Sequence, residues 1–124
     1  DASFVKYGIN TFLATKVTFF NELYDTIKDF GGNYGRIANA IGTDPRIGHS
    51  HTRVPGFDGK RGFGGACFPK DVSAFINFTT HMAVLEYVID RNNKYRSEYE
   101  KDDREKEQNI QYTMTGEIAH VNER

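Results

Sequence analysis

The chain has one cysteine, Cys67, in 124 residues, so no internal disulfide can form, and such usage suits a reducing cytosol. Net charge is almost absent too: 16 Lys and Arg stand against 17 Asp and Glu, leaving -1. That balance offers no electrostatic case for nucleic acid or for an anionic membrane surface as a partner. No long charge-free apolar run and no secretory leader are visible, which argues against membrane spanning and export and for a cytoplasmic location. Internal repeats, low-complexity segments and the G-x-x-x-x-G-K-[ST] phosphate loop are all missing. His49 and His51 flank Ser50 without a carboxylate or thiol at ligand spacing, so they read as surface polar residues and no metal is expected. The first residue is Asp1 rather than methionine, which suggests a processed, trimmed or fragmentary chain.

What is present centres on Gly62-Phe63-Gly64-Gly65-Ala66-Cys67-Phe68-Pro69-Lys70-Asp71. Its glycines let the backbone turn tightly and approach a ligand where a Cβ would clash. Pro69 suits the first residue of a helix, where its missing N–H is no loss. Cys67 then stands at a helix N-terminus with Lys70 beside it, and both the helix dipole and the ammonium favour thiolate. The stretch reads as the mount of a partly exposed, acidified nucleophile. Read without its flanks, a lone cysteine is as well explained as a small buried hydrophobe.

The composition suits one domain, with 10 Phe and 7 Tyr supplying most of the core's bulk. Residues 4–30 read as one helix about 40 Å long at 1.5 Å per residue. Val5, Ile9, Phe12, Leu13, Val17, Phe20, Leu23, Tyr24 and Ile27 keep the helical spacing, while Phe4, Phe19 and Phe30 widen the apolar surface. A helix so apolar packs on two sides. Gly31-Gly32 ends it, and Asn33 caps a short second helix through Ile41, with Ile37, Ala38 and Ile41 inward. From Thr43 to Ala66 glycine and proline break every period, and a loop of that length is usually functional. A third helix is expected from Pro69 to Met82, burying Val72, Phe75, Ile76 and Phe78. A fourth starts near Val84 with Leu85, Val88, Ile89 and Asn92 on one face. The mixed-sign run from Arg96 to Gln108 reads as a solvated helix face or linker. The expected division is a helical domain over 1–108 and a tail or linker over 109–124.

Several of these stretches together resemble the UDP-glucose dehydrogenase family of nucleotide-sugar dehydrogenases. Phe63 to Asp71 resembles its catalytic-cysteine motif, and Asp44-Pro45-Arg46-Ile47-Gly48 its D-x-R-I-G segment. Asn10 to Lys16, with Phe20-Asn21-Glu22, is similar to its long central helix. The resemblance covers about the first hundred residues. It implies an all-α fold, a long central helix with shorter packed helices, like the C-terminal helical domain of 6-phosphogluconate dehydrogenase. This would be the central dimerisation domain of a three-domain enzyme, paired in a homodimer through the helix 4–30.

The resemblance also implies chemistry. A UDP-sugar alcohol is oxidised twice, NAD accepting each hydride, and the cofactor is held mainly by a domain outside this chain. Cys67 would capture the aldehyde as a thiohemiacetal, and the second oxidation would give a thioester that water hydrolyses. Lys6 and Asn10 lie one helical turn apart, where an ammonium and an amide can converge on one oxygen, although spacing alone favours a solvated lysine and an incidental asparagine. By the resemblance they match a lysine and an asparagine near the sugar carbon being oxidised: Lys6 would stabilise the oxyanions, and Asn10 and Asp71 would position or activate water. Arg46 matches an arginine that reaches the neighbouring subunit's substrate. Lys60, Gly62, Phe63 and Gly64 would line the sugar nucleotide, and Lys70 would face the cofactor. The isolated chain is expected to be inactive. A non-catalytic helical dimerisation module and a GDP-mannose-type dehydrogenase remain as alternatives.

Overall fold

Glycine decides where the first helix stops. In the computed structural model α1 runs over Ala2–Asp29, and Gly31 then adopts φ +76°, a conformation open to a residue without Cβ. The Gly32 amide donates to the Ile27 carbonyl at 2.9 Å and the Gly31 amide to Lys28 at 3.0 Å, the paired bonds of a Schellman stop. Asn33 caps α2 (Tyr34–Gly42) by accepting from the Arg36 amide at 2.9 Å. After an irregular stretch come α3 (Cys67–Phe78), α4 (Ala83–Arg96) and the single-turn α5 (Asp103–Glu107). The structure describes residues 1–65, 67–107, 110 and 112, and of Cys67 the backbone alone. Among these residues all regular structure is helical, as expected, and no helix is long and apolar enough to cross a membrane. Most of the expected tail, 109–124, lies outside the described residues.

α1 packs most extensively on α3 and then on α4. Between them lies a core of Ala14, Phe63, Val72, Leu85 and Val88, with Val17, Phe68, Phe75, Ile76, Met82 and Ile89 around it. The inward face of α1 differs from the one its apolar spacing suggests. Thr11, Ala14, Thr18 and Asn21 are buried there, while Val5, Ile9 and Phe12 stay 55–65% exposed. Each buried polar side chain bonds back to the carbonyl four residues earlier: Thr11 to Tyr7, Thr18 to Ala14, Asn21 to Val17. With its hydroxyl so satisfied, a threonine enters a core at little cost and lets helices approach closely.

Two further expectations are corrected. α3 starts at Cys67 and ends at Phe78, which stays 72% exposed at the helix end, beside the Tyr7 ring rather than in the core. Pro69 is therefore the third residue of α3, still in the first turn, where an amide has no intrahelical acceptor to lose. The charged run after α4 is not simply solvated, since Arg96 is 3% and Glu105 1% exposed.

Candidate active site

The glycine turn before α3 is held from both sides by amides. Asn92 of α4 accepts from the Phe63 amide at 2.7 Å and donates to the Phe63 carbonyl at 2.9 Å, as a neighbouring strand would. Asn21 of α1 accepts from the Gly62 amide at 3.0 Å. Arg96, one turn beyond Asn92, donates to the Gly62 carbonyl at 3.2 Å and to Asp58 at 2.8 Å. Gly62 has φ +73°, and a Cβ there would overlap the Asn92 amide. Arg61 locks the approach to the turn. Its guanidinium lies 4.6 Å from the ring centroids of both Tyr24 and Tyr95. It also donates to the Asn21 side chain, the Asn21 carbonyl and Asp25. Such cation–π contacts contribute roughly 0.5–2 kcal/mol each. Burial pushes the Tyr95 hydroxyl up to about 12, helped by its hydrogen bond to Asp25, so it remains a neutral donor.

One long-range contact joins the distant motifs. The Asn10 amide of α1 donates to Asp71 Oδ2 of α3 at 2.7 Å, across 61 residues of sequence. Asp71 is 7% exposed and Asn10 half-buried. Lys6 lies one turn before Asn10, exposed, with Nζ 6.0 Å from the centroid of the Tyr7 ring. Cys67 opens α3 one turn before Asp71, but its expected exposure and acidity concern a side chain outside the described residues. Lys70 is exposed on the first turn of α3.

The remaining sequence-expected residues divide. Gly62, Phe63 and Gly64 line a cleft of about 610 Å³, within the size range of small-molecule sites. Lys60 lies apart from that lining, with Nζ on the Glu100 carbonyl at 2.9 Å and near the Tyr99 ring. Arg46 stands out into solvent, forked on Asp44 at 3.0 and 2.7 Å, and its guanidinium holds the Asp44 carboxyl below the usual range. The segment that carries it is anchored by Lys16, whose buried Nζ donates to the Ile47 carbonyl at 2.7 Å. His51, at φ +62°, stacks on Phe68 at 5.9 Å in the cleft wall. Partial burial, with Lys16 adding to it, pushes the imidazole's pKa down, which favours the neutral ring. Among the described residues no group of His, Cys, Asp or Glu could hold a metal.

Sequence reasoning gave Asn21, Arg61, Asn92 and Arg96 no role at the turn. The one available signal was an asparagine among Leu85, Val88 and Ile89, since a polar residue on a core face needs a partner.

The sequence also matches known proteins. Residues 1–94 match the model of the UDP-glucose/GDP-mannose dehydrogenase family, central domain. UDP-glucose 6-dehydrogenase TuaD of Bacillus subtilis is 35% identical over 100 residues, covering 77% of this chain and 21% of that protein. UDP-glucose 6-dehydrogenase of Rickettsia conorii is 38% identical over 96 residues, covering 74% and 21%. That of Rhizobium meliloti is 42% identical over 72 residues, covering 58% and 15%. The chain spans about a fifth of the length of the first two.

Proposed function

The chain belongs to the UDP-glucose/GDP-mannose dehydrogenase family, and from that premise we propose that it is the central, cysteine-bearing segment of an NAD-dependent UDP-glucose 6-dehydrogenase. The hydrogen bond from Asn10 to Asp71 carries the reading, because it brings two separate motifs to one place beside the start of α3. No strand exists among the described residues, so they do not form the strand–helix crossover that holds a dinucleotide. NAD, the hydride acceptor of both oxidations, is assigned to another unit of a longer protein, with Lys70 facing it.

The residues of this chain serve the carbonyl chemistry. The Cys67 thiolate adds to the aldehyde carbon, and the carbonyl oxygen, now an oxyanion, accepts hydrogen bonds from Lys6 and Asn10. After the second oxidation the same carbon is a thioester. Asp71, oriented by Asn10, takes a proton from water as the water adds, and Cys67 leaves as thiolate to give the carboxylate product. Gly62, Phe63 and Gly64, with Lys60 at the loop's edge, contact the sugar nucleotide.

The test is a graft of this chain in place of the corresponding segment of the Bacillus subtilis relative. The graft is expected to form NADH from UDP-glucose, and the isolated chain to form none. A folded graft without turnover would sink the proposal.

A homodimer through α1 belongs to the same reading. Val5, Ile9, Phe12 and Phe19 lie exposed along one side of α1, on either side of the buried Lys16, and monomers rarely leave a large apolar band in water. Pairing two copies about a two-fold axis covers it, with an interface of roughly 2,000 Å² or more. Arg46, exposed beside its Asp44 partner, is then available to a neighbouring subunit's substrate. Light scattering should give twice the 14.1 kDa chain mass, and Phe12→Glu should halve it. A folded wild-type monomer at micromolar concentration would count against the pairing.

A further inference from the structure

Beneath the glycine turn lies buried charge that the proposed chemistry leaves unused. Arg96 sits so close under Gly64 that a Cβ there would overlap its guanidinium and stand 2.8 Å from Glu105 Oε2. Glu105 comes from α5, beyond the end of α4, and is 1% exposed. Asp102 and Glu105 cap each other: the Asp102 amide donates to Glu105 Oε1 at 2.9 Å, and the Glu105 amide to Asp102 Oδ1 at 2.8 Å. The Tyr112 hydroxyl donates to Glu105 Oε2, and the Ile110 amide to the Glu105 carbonyl at 3.0 Å. On its other side Arg96 holds Asp58 and the Gly62 carbonyl.

This arrangement is costly. Nε and Nη1 of Arg96 are buried without a hydrogen-bond partner, and apolar side chains of similar volume would fill such a space as well or better. Packing alone gives no reason for an arginine from α4 and a glutamate from α5 to meet under one glycine. What they do have in common is the turn above them, which leads into Cys67.

We infer that Arg96 and Glu105 are positioning residues, a brace on which the turn from Gly62 to Gly65 rests, so that α5 and Tyr112 set how α3 presents Cys67. The inference rests on the proposed function, in which Cys67 is the nucleophile. It adds that the segment leaving the helical domain is part of the support of that nucleophile. Loosening Glu105 removes one of the two side chains that lie directly under Gly64, and the turn shifts with it.

The test reads Cys67 directly, since it is the only cysteine and neither sugar nor NAD is needed. The rate of alkylation by iodoacetamide is followed against pH on the full 124-residue chain. Tyr112→Phe and Glu105→Gln should move the titration midpoint towards that of free cysteine, about 8.5, and lower the rate at pH 7 by about threefold or more. Arg96→Lys, which keeps charge and a donor, should fall between wild type and Arg96→Met. Helix content and thermal midpoint should hold in Tyr112→Phe, which removes one oxygen and decides the matter if Glu105→Gln does not fold. A wild-type midpoint well below that of free cysteine, unchanged in the folded variants, overturns the brace alone. A wild-type midpoint at the free value overturns the nucleophile, and the brace with it.

Discussion

Replacing Asp71 with asparagine in the grafted enzyme is expected to lower turnover by about 10²–10⁴-fold, the usual contribution of a positioned acid or base. Asparagine has nearly the same shape, and its carbonyl oxygen can accept the bond that Asn10 now gives to Asp71 Oδ2 at 2.7 Å. The tie between α1 and α3 therefore survives, at a loss of about 1 kcal/mol as a charged acceptor becomes neutral. What disappears is the proposed capacity to take a proton from water at the thioester. The loss should fall on kcat, since the proposed substrate contacts lie elsewhere. NADH formation and thermal unfolding measured on one preparation separate the two effects. Unaltered kcat would remove Asp71 from the mechanism, and a loss explained by melting would reduce it to a structural residue.

Arg96→Met should destabilise the chain by about 1–3 kcal/mol, the range for leaving a buried polar group without its partner, here the Gly62 carbonyl. Asp58 is 38% exposed on its side chain and can rehydrate when its partner goes. The Gly62 carbonyl also loses a donor while Asn92 and Asn21 keep their hold on the turn. For a domain with a total stability of about 5–15 kcal/mol, the substitution takes a large share. Urea unfolding should show a lower midpoint with an unchanged slope. A shift below about 1 kcal/mol would mean that Asn92 and Asn21 hold the turn without Arg96.

The two predictions draw on residues of unequal legibility. Helical spacing and the Gly31-Gly32 stop made α1 readable to within two residues at its start and one at its end, and Asn33 announced α2. The pairing of Asn10 with Asp71 has no local signal, because the residues lie 61 apart, and only the family resemblance pointed to both. Arg96 and Glu105 were hidden inside a charged run whose mixed signs normally mean a wetted surface. Charge counts cannot distinguish a solvated arginine from one enclosed by a glycine turn, since enclosure depends on contacts far along the chain. The inner face of α1 was obscured for a related reason. Threonine looks polar in a sequence, yet once its hydroxyl bonds to its own helix it offers the core little more than a methyl group.

That inner face has a thermodynamic consequence. α1 turns Thr11, Ala14 and Thr18 inwards and leaves Val5, Ile9, Phe12 and Phe19 outwards. In the proposed homodimer a second copy buries those four, and mass action governs that burial. A melting midpoint measured on this chain should rise with protein concentration, and dilution should slow the bimolecular part of refolding. No single stability value describes such a chain without the concentration at which it was measured.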